Sequence, residues 1–219
     1  MEGNDRDSMR QAIARLFREY PLLKDKAVVI GGAAAMLRLE KSQETESIRP
    51  TIDIDLVAEN DVDIEKVKEK ASRCSVDLLL IDYLTGSAGP LEPEVVAIVF
   101  ADKDELDVEG VAVPVVGPIG FLATKLSRSG EKGREYYRGQ DLADVVKVWL
   151  AEPDTVIERW IRFVGMPGVK RAVNEFKNLL RYDYSEGTRA VVREMDLDIR
   201  DMDFIFLKAR LDDLLDKLK

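Results

Sequence analysis

The stretch from Ala27 to Val57 most constrains what this chain can fold into. It opens on a short apolar run, Ala27 to Ile30, that ends in Gly31-Gly32. Such a run reads as a buried strand. The two glycines let the backbone turn tightly and approach a ligand closely. Ala33 to Glu40 then reads as a helix, and the free N–H groups at its N-terminus suit a phosphate chain. After a polar spacer, Lys41 to Ile48, a second apolar run from Thr51 to Ala58 alternates cleanly. Ile52, Ile54 and Leu56 fall on one face, Asp53, Asp55 and Val57 on the other. Aspartate has poor strand propensity, so two in mid-strand want a reason. Two carboxylates this close repel unless a cation joins them. Hard oxygen donors of this kind suit Mg2+, which keeps waters and substrate phosphates in its other positions. Alone, the glycine pair is more often a plain turn, and the acids an exposed face. Their order along the chain favours a site.

The chain as a whole bounds the possibilities. Its 219 residues suit one sizeable domain, or a core domain with a helical appendage. With 46% hydrophobic and 34% charged residues it reads as globular rather than disordered. No apolar run approaches the ~20 residues of a membrane helix. The N-terminus, MEGNDRDSMRQ, has no apolar signal core, so a cytoplasmic protein with no membrane partner is expected. The single cysteine, Cys74, cannot form an internal disulfide, and it reads as a small buried residue. There is no histidine, which removes Ser-His-Asp and Cys-His catalysis and most zinc sites. Acid–base work falls to Asp, Glu, Lys or Tyr. The net charge of −9 disfavours a general nucleic-acid coat.

Along the chain, Ser8 is read as the cap of a helix to Tyr20, with Met9, Ile13, Leu16, Phe17 and Tyr20 on its apolar face and Pro21 ending it. Asp63 to Arg73 reads as a surface helix. Ser75 to Thr85 reads as a strand offering Asp77 and Asp82 on opposite faces, so a regular strand brings only one of them to the other acids. Val95 to Phe100 and Val111 to Val116 read as further strands, with ADKDELDVEG between them a solvated acidic turn. Pro118 to Ser127 reads as a helix carrying Lys125. A basic loop with two tyrosines, Arg128 to Arg138, follows, and Asp141 opens a helix through Leu150 with Asp144 one turn later. From Pro153 the apolar stripes are helical. Expected, then, is an α/β (α+β) fold: a mixed sheet of about five strands within residues 1–117, flanked by helices, and a C-terminal helical region over residues 118–219.

The order strand, GG-x-A, then R-x-T-x-D-x-D, carried by Gly31, Gly32, Ala34, Arg49, Thr51, Asp53 and Asp55, resembles the nucleotidyltransferase fold of the polymerase-β type. Within it the chain is most similar to the AbiEii-type toxin nucleotidyltransferases. Lys125 followed by a basic turn and Asp141 is the second point of resemblance, and the likeness spans roughly Val28 to Leu150. It implies transfer of a nucleoside monophosphate from an NTP to an acceptor hydroxyl, with two Mg2+ ions. Asp53 and Asp55 would hold the metals. Asp82 is chosen as third acid, on the likeness of IDYLTG to the family's third-acid strand, with Asp77 in reserve. Gly31 and Gly32 would cradle phosphates, Lys125 would neutralise them, and Arg49 would pair with a phosphate or a carboxylate. Asp141 takes the family's helix-start position. The acceptor stays open among an RNA end such as tRNA, a protein side chain and a small molecule. The basic loop from Arg128 to Arg138 is the local candidate for RNA. A homo-oligomer or an antitoxin partner is compatible with the resemblance. The rival reading is a non-catalytic member that binds a nucleotide or a partner.

Overall fold

The structure is a computed structural model that describes residues 2–43, 53–58, 80–83, 91–128, 135–182 and 185–219. The expected helix at 63–73, the start of the strand at 75–79, Cys74, Asp77, Arg49 and Thr51 lie outside the described residues. Asp53 and Asp82 are described by their backbone alone.

Helix α1 (Glu2–Glu19) and the short α2 (Leu23–Lys26) lead into β1 (Ala27–Ile30), and α3 (Gly31–Lys41) follows without a loop. Next come β2 (Asp53–Ala58), β3 (Leu80–Tyr83), α4 (Pro93–Ala101), β4 (Lys103–Val108) and β5 (Val111–Val116). The remaining described elements are helices: α5 (Pro118–Arg128), α6 (Glu135–Ala151), α7 (Pro153–Phe163), α8 (Val169–Leu180), α9 (Glu186–Glu194) and α10 (Met202–Lys217). The mixed α/β character agrees with the sequence.

The five strands form one sheet in the order β3-β2-β1-β5-β4. β1 runs parallel to β5 and antiparallel to β2, while β2 runs parallel to β3. All four residues of β1 are buried, so both of its faces are covered, as a continuous apolar run requires. Helix α1 packs on β4 and β5, and α3 packs on β1 and β2. Met9, Ile13, Leu16 and Phe17 form the buried face of α1, as their spacing predicts. Trp149 of α6 anchors the helical side: fully buried, it donates Nε1–H to Pro118 O at 2.9 Å and meets the Phe176 ring edge-on, centroids 5.0 Å apart. One connected apolar core runs from Met9 to Leu218.

Four local expectations are corrected. Ser8 lies inside α1, which already begins at Glu2, so it is not the cap. Val95 to Phe100 is helical, because Pro93 stands at the first position of α4 with its φ preset for a helix. The supposed acidic turn is strand β4. It pairs antiparallel with β5 from Lys103↔Val116 to Val108↔Val111 through a two-residue turn, with positive φ at both Glu109 (52°) and Gly110 (74°). Finally, α6 starts at Glu135, so Asp141 sits in mid-helix and residues 135–138 are helix rather than loop. Within α6, Gly139 lets α9 approach closely: a Cβ there would come within 3.2 Å of Ala190 Cβ.

Candidate functional site

One edge of the sheet, where the strand ends meet, gathers Gly31, Gly32, Asp53, Asp55 and Asp82 of the sequence candidates. β1 and β5 end there, and the antiparallel β2 and its parallel neighbour β3 begin there. Ile30, the last residue of β1, pairs with Asp55, and Asp55 in turn pairs with Asp82 of β3. Asp53 lies two residues beyond Asp55, past the end of β1 and level with the glycine corner. Three acidic positions on neighbouring strands thus come to one edge by register.

Gly31 turns the chain from strand to helix with φ +68°, a left-handed value that glycine adopts freely. The Asp55 carboxylate fills the space where a Cβ would stand, closer than any side chain could tolerate. The half-buried Asp55 is therefore seated against the bend and the positive end of α3. The N-cap residue, Ile30, offers no polar side chain and the first turn carries no acid, so the N–H groups there favour an anion, and the Asp55 carboxylate is the acid beside them. Gly32, next along, is half-buried. Beneath the edge, Ile54 and Leu56 point into the core and fix which way the acids face. Of the three acids only Asp55 has a described carboxylate, at Gly31, with Asp82 in register beside it on β3; acids at such positions are the donor type that would suit a hard divalent cation.

Lys125, Asp141 and Asp144 also meet. Lys125 is buried; its Nζ donates to Asp141 Oδ1 at 2.7 Å and Asp144 Oδ2 at 3.0 Å, and lies 5.4 Å from the Phe121 ring centroid. Burial alone would drive the ammonium toward neutrality, but Asp144 and Asp141 outweigh it and hold the pKa above the ordinary lysine value. Lys125, to which the resemblance gives the nucleotide phosphates, is here engaged by two carboxylates of this chain, a tie between α5 and α6.

A second charged cluster escaped the sequence reading. Arg38, fully buried on α3, donates Nε–H to Val116 O, Nη1–H to Glu152 Oε1 at 2.9 Å and Nη2–H to Asp104 Oδ2 at 2.6 Å. Arg159 joins from α7, bonded to Asp104 and 3.6 Å from Asp102 Oδ1. Asp102 accepts the Gly120 N–H at 2.7 Å, tying the end of α4 to the start of α5. The signal was a lone arginine within the apolar helix AAAMLRLE. A cation on an otherwise apolar face needs buried partners.

Compared with protein-family models, with curated proteins and with solved structures, the chain matches none.

Proposed function

We propose that the chain is a Mg2+-dependent nucleotidyltransferase that moves a nucleoside monophosphate from an NTP to an acceptor hydroxyl and releases pyrophosphate. One observation carries the reading: the Asp55 carboxylate seated against Gly31 at a helix start, with Asp82 in register on the next strand. Asp53, Asp55 and Asp82 would hold the metal. Held there, Mg2+ would supply positive charge that offsets the charge developing during an in-line displacement. The backbone N–H groups after Gly31 orient the triphosphate and offset its charge. Positioning and electrostatics carry most of phosphoryl transfer. The acceptor class, whether RNA end, protein or small molecule, is part of the proposal, as are an antitoxin partner and a homo-oligomer.

The experiment is incubation with α-labelled NTPs, Mg2+ and cell extract. The expected result is label in one acceptor class, lost in Asp55→Asn while the circular dichroism spectrum stays unchanged. Labelling by the variant at the wild-type rate would overturn the reading. The second reading is a non-catalytic member that binds a nucleotide or a partner. Calorimetry with NTP and Mg2+ separates the two, since a binder gives heat without transfer.

A further inference from the structure

Helix α10 turns an apolar stripe to solvent. Its inner face, with Phe204, Leu211, Leu214 and Leu215, is buried in the core. On the opposite side Met202, Ile205 and Phe206 are 59%, 48% and 60% exposed, and Ala209 beyond them is exposed as well. The spacing i, i+3, i+4, i+7 aligns these four as a seam two turns long. Six large apolar side chains are exposed among the described residues, and three of them fall on this stripe. Single apolar residues scattered over a surface are ordinary, whereas a contiguous stripe marks a contact. Asp213 and Asp216, the next positions along it, are acidic and end it.

The stripe is symmetric about Phe206. Met202 stands four residues before it and Ala209 three after, while Asp203 stands three before and Arg210 four after. Asp203 and Arg210, seven residues apart, share one flank of the stripe. When two copies of a helix pair antiparallel about a two-fold axis, the same flank of each comes together, and residue i meets j as j meets i. An axis at Phe206 therefore sets Phe206 against its own copy, Met202 against Ala209, and Asp203 against Arg210 twice over. Arg210 gives one N–H to Leu150 O at 3.0 Å and has others for a carboxylate. On the other flank Lys208 holds Asp212 and offsets its charge within the copy. An anionic membrane fits the stripe poorly, because Asp201, Asp203, Asp213 and Asp216 border it.

We infer that α10 is the seam of a homodimer, paired antiparallel with α10 of a second copy. A seam this short buries less than the roughly 1,200 Å² of a stable interface, so the dimer is weak and depends on concentration. No residue of the Asp55 edge takes part, and the inference stands apart from the transferase reading.

Sedimentation velocity of the full chain, from low micromolar to near-millimolar concentration, tests it. Expected is a mass that rises with concentration from 24.7 kDa toward twice that value. Phe206→Asp should weaken association at least about tenfold, because it places two acids at the axis. Asp203→Arg and Arg210→Asp should each weaken it several-fold by setting like charges together, and the double exchange should restore it. Circular dichroism checks that each variant is folded. A mass that stays at 24.7 kDa throughout, association unchanged in Phe206→Asp, or a double exchange that associates no better than either single variant would overturn the inference. So would a chain that stays monomeric and co-sediments with phosphatidylcholine–phosphatidylglycerol vesicles, since the stripe would then serve a membrane.

Discussion

At Gly31 two separate constraints exclude a side chain. The backbone holds φ at +68°, and the Asp55 carboxylate occupies the Cβ position. The left-handed conformation alone costs a non-glycine residue roughly 1–2 kcal/mol. In Gly31→Ala the methyl must also displace the carboxylate. Urea unfolding is therefore expected to lose at least that much stability, and nucleotide transfer to fall toward the Asp55→Asn level. A variant with wild-type stability and transfer would show that the acid has no need of the cradle. Asp102 poses a different problem. Its carboxyl is fully buried, and Oδ1 accepts no hydrogen bond among the described residues. Burial pushes its pKa above the ordinary aspartate value, against the pull of the Gly120 N–H, Arg159 and Arg38. A group with a raised folded pKa contributes stability below its unfolded pKa, about 3.9 for aspartate, and that contribution is lost as pH rises through the folded value. Asp102→Asn keeps an acceptor for Gly120 but carries no charge. Its stability relative to the wild type should rise from pH 4 toward neutrality. A stability difference that stays flat with pH would remove the linkage.

Between elements, buried charge replaces apolar packing at one junction. Arg38 of α3 reaches β4 through Asp104, β5 through Val116 O and the α6–α7 joint through Glu152. Arg38→Met leaves the 5% exposed Glu152 side chain with Lys41 as its cation. Breaking a buried pair from one side costs about 3–5 kcal/mol. Exposed Arg15, paired with Glu19 one turn on, should lose less than about 1 kcal/mol when changed to Ala. Chemical denaturation of the two variants checks the contrast, and similar losses would mean that burial adds nothing to the Arg38 pairing. The same junction explains which elements the sequence concealed. The stretch KDELDV reads as solvated because its charges dominate, yet Asp104 turns inward to Arg38 and Arg159, and compensation across the fold is invisible in a local pattern. The run VVAIVF has no period that separates strand from helix, and Pro93 ahead of it was the usable signal. By contrast β1, β2 and β5 were legible: β1 and β5 are buried apolar runs, and in β2 Ile54 and Leu56 are buried as the alternation predicts, although Val57 on the acid face is buried as well. The candidate edge was legible as a motif, but the pairing of Ile30 with Asp55 depends on strand order, which no local spacing encodes.

For the whole molecule, the connected core couples the Asp55 edge to helices distant in sequence. A ligand bound at that edge should therefore raise the stability of the folded chain, by RT ln(1 + [L]/Kd). At one hundred times Kd this is about 2.7 kcal/mol. A chain of this size gains roughly 2–4 °C in Tm per kcal/mol, so NTP with Mg2+ should raise Tm by about 5–11 °C. Mg2+ alone should raise it less, because the carboxylates hold only part of the cation's shell without the phosphates. Asp55→Asn should lose most of the NTP-dependent shift. Three outcomes of the thermal scan discriminate. A shift that needs Asp55 and accompanies labelling supports the transferase. A shift that needs Asp55 without labelling in any extract leaves the nucleotide-binding reading. No shift with either NTP or Mg2+ removes both readings, because a carboxylate seated at a helix start would then be serving the turn alone.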